Sequence, residues 1–171
     1  MVDNSKQQAL ALAMRSGMRR LASGVSVLSS RDDTGLAHTM TVSSVTSVSD
    51  APSSLLVCVN RDTKIAPIMT LGRNFTINVL GMQHQDVSIA CSTGLQTEER
   101  LKIGKWINDI NSPPYLEDAE ARFLCEITGI YPHGSHDIIV GDIVEVKVSE
   151  QPVNALVYAD GGYHTLTKIG G

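Results

Sequence analysis

The sequence predicts a mainly β domain with helical insertions, built as a barrel or a sandwich. Three observations predict it. Short runs of apolar and β-branched residues recur along the chain, separated by turn signals such as "RDDTG" and "PHGS". Few segments between them carry helical periodicity. No internal repeat or low-complexity linker divides the 171 residues, a length that suits one domain with a core of its own.

Each element has a local reason. Asn4 to Ala22 reads as a helix, since Leu10, Met14, Met18 and Leu21 recur at helical spacing and Gly24 offers a stop. "GVSVLSSRDDTGLAHTMTVSSVTSVS" reads as two strands joined by the acidic, glycine-containing turn "RDDTG". "PSSLLVCVN" is a third strand, and its unbroken apolar run from Leu55 to Val59 predicts burial on both faces. "TKIAPIMTLG" predicts a short helix with Pro67 near its start, and "NFTINVLG" a fourth strand. "MQHQDVSIACST" and "QTEERLKIGKW" predict a helical insertion, in which Ile103 and Trp106 pack back on the strands. "NSPPYL" is a turn. "AEARFLCEITGIYPHG" and "HDIIVGDIVEVKVSE" form a hairpin of two long strands, and "NALVYADGGYHTL" a last short strand.

Composition narrows the function. Net charge is −4 and no basic run is present, which argues against a nucleic-acid partner and against an acidic membrane surface. No apolar run is long enough to span a bilayer, and the N-terminal segment lacks the basic leader and cleavage pattern of a signal peptide. A cytoplasmic protein is expected. The three cysteines, Cys58, Cys91 and Cys125, lie far apart with no CxxC pair, so reduced, buried thiols are expected and no metal site.

Three stretches carry candidate chemistry. "HTMTVSSVTSVSD", His38 to Asp50, is dense in hydroxyls. It suits either an edge strand facing water or a wall for a ligand with many acceptors, such as a flavin. "CVNRDTK", Cys58 to Lys64, ends an apolar strand on Arg61, Thr63 and Lys64, which suits either a solvated turn or a phosphate seat. "YPHGSHDIIVG" sets His133 and His136 around a Gly-Ser turn. Such histidines are exposed turn residues, or donors and proton carriers at a strand mouth. No GxGxxG, GxxxxGK[ST] or GxSxG sequence is present, so neither a Rossmann domain, a nucleotide triphosphatase nor a serine hydrolase elbow is indicated.

In this order and spacing, "MRRLASGVSVLSS", "HTMTVSSVTSVSDAPSSLLVCVNRDTK", "FTINVLGMQHQD", "GSHDIIVGDIVEV" and "GGYHTL" resemble the flavin reductase-like family. The likeness runs from about Met14 to Leu166 and is strongest to the small reductase components of two-component flavin-dependent aromatic monooxygenases. It implies an FMN-binding split β-barrel of Greek-key type, one domain over residues 1–171. The helix would take residues 1–22 and the barrel residues 23–166, with the insertion near 82–110.

The implied activity is hydride transfer from NADH or NADPH to FMN or FAD, with reduced flavin passing to a partner monooxygenase. A flavin-binding electron carrier without pyridine-nucleotide activity is the alternative. The implied flavin contacts are Thr41, Val42, Ser43 and Ser44, then Cys58, Val59 and Asn60, with Arg61, Thr63 and Lys64 at the phosphate. Asn78 and Val79, with Ala90, Cys91, Ser92 and Thr93, would close the ring pocket. His136 would stand beside the nicotinamide, with Tyr163 or His164 in its groove, and the chain would form a homodimer with the flavin at or near the subunit interface. Two positions depart from the family's pattern. Ser135 stands where an Asp is common, which bears on the orientation of His136, and Cys91 stands where a Phe is frequent.

Overall fold

A computed structural model describes residues 4–170; residues 1–3 and 171 of the expected domain lie outside the described residues. The chain opens with α1 (Asn4–Met18). It continues through β1 (Ser23–Gly24), β2 (Ser26–Arg31), β3 (Ala37–Val42), β4 (Thr46–Asp50) and β5 (Ser53–Asn60). A 3₁₀ turn (Ala66–Ile68) leads to β6 (Asn74–Val79). The insertion follows, with a second 3₁₀ turn (Met82–His84), α2 (Gln85–Ser92), α3 (Thr97–Arg100) and the short pair β7 (Trp106–Ile107) and β8 (Tyr115–Leu116). The long hairpin β9 (Ala121–His133) and β10 (His136–Val148) precedes the closing hairpin β11 (Leu156–Ala159) and β12 (Gly162–Thr165).

Seven strands form one antiparallel sheet in the order β3-β2-β6-β9-β10-β5-β4. Its two edge strands, β3 and β4, are consecutive in sequence and separated only by Ser43, Ser44 and Val45. Three residues cannot cross an open seven-stranded sheet whose strands lie about 4.8 Å apart. The sheet therefore curls until its edges meet, which makes it a barrel split between β3 and β4. Ser44, in the link between the two edges, is tied to β5: its hydroxyl accepts the Cys58 N–H at 3.0 Å and lies 3.3 Å from the Cys58 carbonyl, in register with the β4–β5 pair Thr46↔Leu56. One side chain thus adds a rung beyond the end of that ladder.

Two apolar clusters hold the fold. Leu28, Val57, Val59, Phe75, Ile77, Cys125, Ile127 and Ile139 fill the barrel. Val25, Val27, Leu80, Val87, Leu116 and Leu156 form a second cluster outside it, against which Ile103, Trp106 and Tyr163 pack. β2 and β6 are consequently buried on both faces. Asn78, fully buried, fastens the insertion to this wall: its amide donates to the Val27 carbonyl and Ser29 Oγ, and its oxygen accepts the Leu116 N–H.

The structure departs from the sequence reading at six places. The first helix ends at Met18, short of the expected Ala22. The hydroxyl-rich stretch is two strands on opposite edges of the sheet. β5 alternates, with Leu55, Val57 and Val59 buried and Leu56 and Cys58 half-buried, so only one of its faces is core. The helix expected over 63–72 is a single 3₁₀ turn. "QTEERLKIGKW" holds one helical turn before Gly104, at φ +95°, sends the chain into β7. The last strand is a hairpin, turned by Asp160 and Gly161 at φ +49° and +82°, where a left-handed pair matches strand twist.

Candidate functional site

The site is built on the open edge of β3. The β2–β3 hairpin closes with Asp32 N–H donating to the Leu36 carbonyl. In an antiparallel ladder, hydrogen-bonded pairs then recur every second residue, so Ser29↔Thr39 and Val27↔Thr41 are non-hydrogen-bonded pairs. The peptide groups of Thr39 and Thr41 therefore face away from β2. Arg100 Nη1 donating to the Thr39 carbonyl agrees with that parity. Thr41 presents its own N–H and C=O at the free edge, a donor and an acceptor fixed by the sheet.

Three adjoining hollows meet at Thr41. The first, about 370 Å³, runs along His38–Thr41 and is walled by Asp62–Ile65, Cys91–Leu95, Thr97 and Arg100. A second, about 300 Å³, lies against Met40–Ser44 with Cys58, Asn60 and His136. A third, about 230 Å³, is formed by Val25, Thr41–Ser43, Ser88 and Ser92 with the edge-stacked rings of Tyr158 and Tyr163. Thr41 Oγ1 donates to the Ser88 carbonyl at 2.6 Å, and Ser88 Oγ pairs with Tyr163 Oη at 2.8 Å, so β3, α2 and β12 are tied together here. From His38 to Ser44 an extended chain spans about 20 Å, with cations at one end and a histidine at the other.

The structure brings most of the expected residues to this groove. Thr41, Val42, Ser43, Ser44, Cys58, Asn60 and His136 line it on one side, and Thr63, Lys64, Cys91, Ser92, Thr93 and Tyr163 on the others. Six expected contacts do not line it. Val59 and Ala90 are buried in packing, Val79 packs against the barrel cluster, and Asn78 is enclosed by the bonds to the insertion. His164 is exposed and bonds the Ala159 carbonyl at 3.0 Å. Arg61 turns toward the β9–β10 hairpin. Its N–H donates to the Ser135 carbonyl at 3.0 Å, its guanidinium bonds the Gly134 carbonyl, and its Nε lies 3.3 Å from Asp137 Oδ1. Arg61 thus grips the turn that carries His136, and Ser135 Oγ sits 2.9 Å from His136 Nδ1.

Sequence reasoning missed Arg100, Tyr158 and His38. Arg100 donates to the carbonyls of Thr39, Thr93 and Leu95, clamping the loop after α2 onto the open edge of β3. His38 Nε2 lies 3.0 Å from Asp32 Oδ2, and the hydrogen bonds of Thr34 and His38 hold that carboxylate well below its usual range. The Tyr158 signal was present in the Asp-Gly turn, which sets it opposite Tyr163. Burial pushes the Cys91 thiol up, and Cys125 up to about 12. A hollow of about 390 Å³ under the insertion is flanked by Arg31 and Arg73, but both are occupied, Arg31 by loop carbonyls and Arg73 by Asp33.

Residues 18–167 match the family model described as flavin reductase like domain. The chain belongs to the flavin reductase-like family. It is 36% identical over 158 residues to a protein of Methylorubrum extorquens named FMN reductase (NADH) RutF 1, covering 92% of this chain and 78% of that one. It is 32% identical over 175 residues to the reductase component of the FADH(2)-dependent resorcinol hydroxylase of a Rhizobium species, covering 99% and 94%. Among solved structures it superposes with a TM-score of 0.81 on BorF, the flavin reductase component of a bacterial two-component tryptophan halogenase. That pair is 27% identical over 93% of this chain and 99% of the other. Family and topology agree on the split barrel. No helix among the described residues is long and apolar enough to cross a membrane.

Proposed function

We propose that the protein is an NAD(P)H:flavin oxidoreductase that supplies reduced flavin to a partner monooxygenase. The observation that carries this reading is the groove itself: a fixed peptide edge at Thr41, cationic side chains at one end and His136 at the other. Its donor set fits a flavin mononucleotide unit. The ring edge needs a donor and an acceptor side by side, which the Thr41 peptide offers, and the phosphate needs cations. Relatives named for NADH, for FMN and for FADH(2) support the same substrates.

When both ligands are bound, hydride passes from the nicotinamide to the flavin ring, and the cofactors carry that chemistry. The chain's part is positioning. Thr41, Val42 and Ser43 set the ring's in-plane orientation, while Cys58 and Asn60 floor the hollow beside it. His136, on a turn held by Arg61 and Ser135, orients the incoming nicotinamide, and Tyr163 walls the neighbouring hollow. The N–H of Thr41, directed out of the sheet, would donate to a bound ring and stabilise the negative charge gained on reduction. No nucleophile or acid–base pair is needed.

Steady-state oxidation of NADH and NADPH, each with FMN, FAD and riboflavin, tests this. Turnover above the protein-free rate with at least one pair is expected. A protein that binds flavin yet ignores both nicotinamides is an electron carrier instead. A second copy of the chain is proposed to cover β4, exposed along its whole length, and the exposed valines Val144, Val146 and Val148. Light scattering should give twice the chain mass.

A further inference from the structure

We propose that Arg100 is, with Lys64, a cation of the phosphate seat, and that Arg61 is not. The inference rests on the flavin reading of the groove. Arg61 is committed to Asp137 and to the Gly134 carbonyl, outside the 370 Å³ hollow. Lys64 and Arg100 both line that hollow, and among the described residues neither makes an ion pair. Lys64 Nζ meets only the neutral Gln96 Oε1, at 3.3 Å.

Arg100 uses one N–H on each of the carbonyls of Leu95, Thr39 and Thr93. A guanidinium has five, so two remain, and carbonyl oxygens leave its charge uncompensated. Most of the hydroxyls on that hollow are engaged elsewhere. Of six, Thr41, Thr63, Ser92 and Thr93 give their protons to the carbonyls of Ser88, Asn60, Ile89 and Ala90. What they turn to the hollow is lone pairs, which repel phosphate oxygens.

Charge then decides how many cations are needed. Asp62 also lines the hollow. Lys64 alone would be offset by it, and the lining would be neutral. With Arg100 the lining is net positive, the sign a phosphate monoester requires. One residue therefore does two things: it ties the loop after α2 to β3, and its spare N–H pair and charge take the phosphate.

Fluorescence titration of wild type, Arg100→Gln and Arg100→Lys with FMN and with riboflavin tests this, because only FMN carries the phosphate. Arg100→Gln is expected to weaken FMN about tenfold or more, the worth of one charge-assisted hydrogen bond, and riboflavin by less than about threefold. Arg100→Lys, which keeps the charge and loses the clamp, should restore most of the FMN affinity. Equal losses for the two ligands, with no rescue by lysine, make Arg100 a clamp only and overturn the proposal. Wild type that binds neither flavin overturns the site reading itself, a separate outcome. If Arg100→Gln does not fold, Lys64→Gln decides. It should keep a reduced preference for FMN over riboflavin that salt weakens, and loss of the whole preference assigns the seat to Lys64 alone.

Discussion

Ser44→Ala separates the barrel's stability from its ligand chemistry. Ser44 Oγ accepts the Cys58 N–H at 3.0 Å and donates to the Cys58 carbonyl at 3.3 Å, where the backbone ladder between β4 and β5 has ended. A typical hydrogen bond contributes a net of about 0.5–1.5 kcal/mol, and stranding a buried donor costs about 1–3 kcal/mol. The Cys58 N–H is only part-buried and the second contact is long, so the loss falls low in that range, about 1–2 kcal/mol. For a domain of this size that lowers Tm by roughly 2–8 °C. The assay is a thermal or urea melt of the flavin-free protein at fixed concentration, beside a riboflavin titration. The expected result is a lower Tm with riboflavin affinity changed by less than about threefold. An unchanged melt with lost riboflavin binding would refute the reasoning, because the hydroxyl would then serve the ligand rather than Cys58.

Other consequences follow from particular contacts. Gly141→Ala would set a Cβ 2.6 Å from the Phe75 ring and 3.1 Å from Cys125 Cβ. Overpacking of that kind costs about 1–3 kcal/mol, read as a fall in urea midpoint at unchanged slope. Of the three thiols, Cys58 is half-buried in the groove while Cys91 and Cys125 are buried with raised pKa. A thiol reagent near pH 8 should therefore label one cysteine quickly, and riboflavin should slow it; three equal rates would contradict this. His136→Ala is expected to slow hydride transfer on the order of a hundredfold in stopped flow while flavin affinity holds, since it positions the donor. Equal losses in both would count against that role.

Much of this was legible in the sequence for physical reasons. The hairpin of β9 and β10 announced itself by long alternating runs around Gly134-Ser135, and Gly134 takes the left-handed φ that the turn needs. The break inside "HTMTVSSVTSVSD" was not legible, because no glycine or proline marks it. A serine hydroxyl replaces the backbone rung, and a hydroxyl looks the same in sequence whether it faces water, ligand or peptide. The directions of Arg61 and Arg100 were not legible for a related reason. Which cation reaches a groove depends on where the neighbouring carboxylates lie, and Asp137 sits 76 positions from Arg61 in the chain. Asn78 is polar and fully buried, and only the fold tells that its partners are Val27, Ser29 and Leu116.

The groove on β3 is proposed to hold a flavin where a nicotinamide can reduce it. Anaerobic stopped flow tests it most directly: protein and FMN are mixed with NADH, and bleaching of the oxidised flavin's visible absorbance is followed. Bleaching is expected at a rate that rises with protein and saturates with NADH. Bleaching no faster than in the protein-free mixture, at flavin concentrations that fill the site, would contradict it.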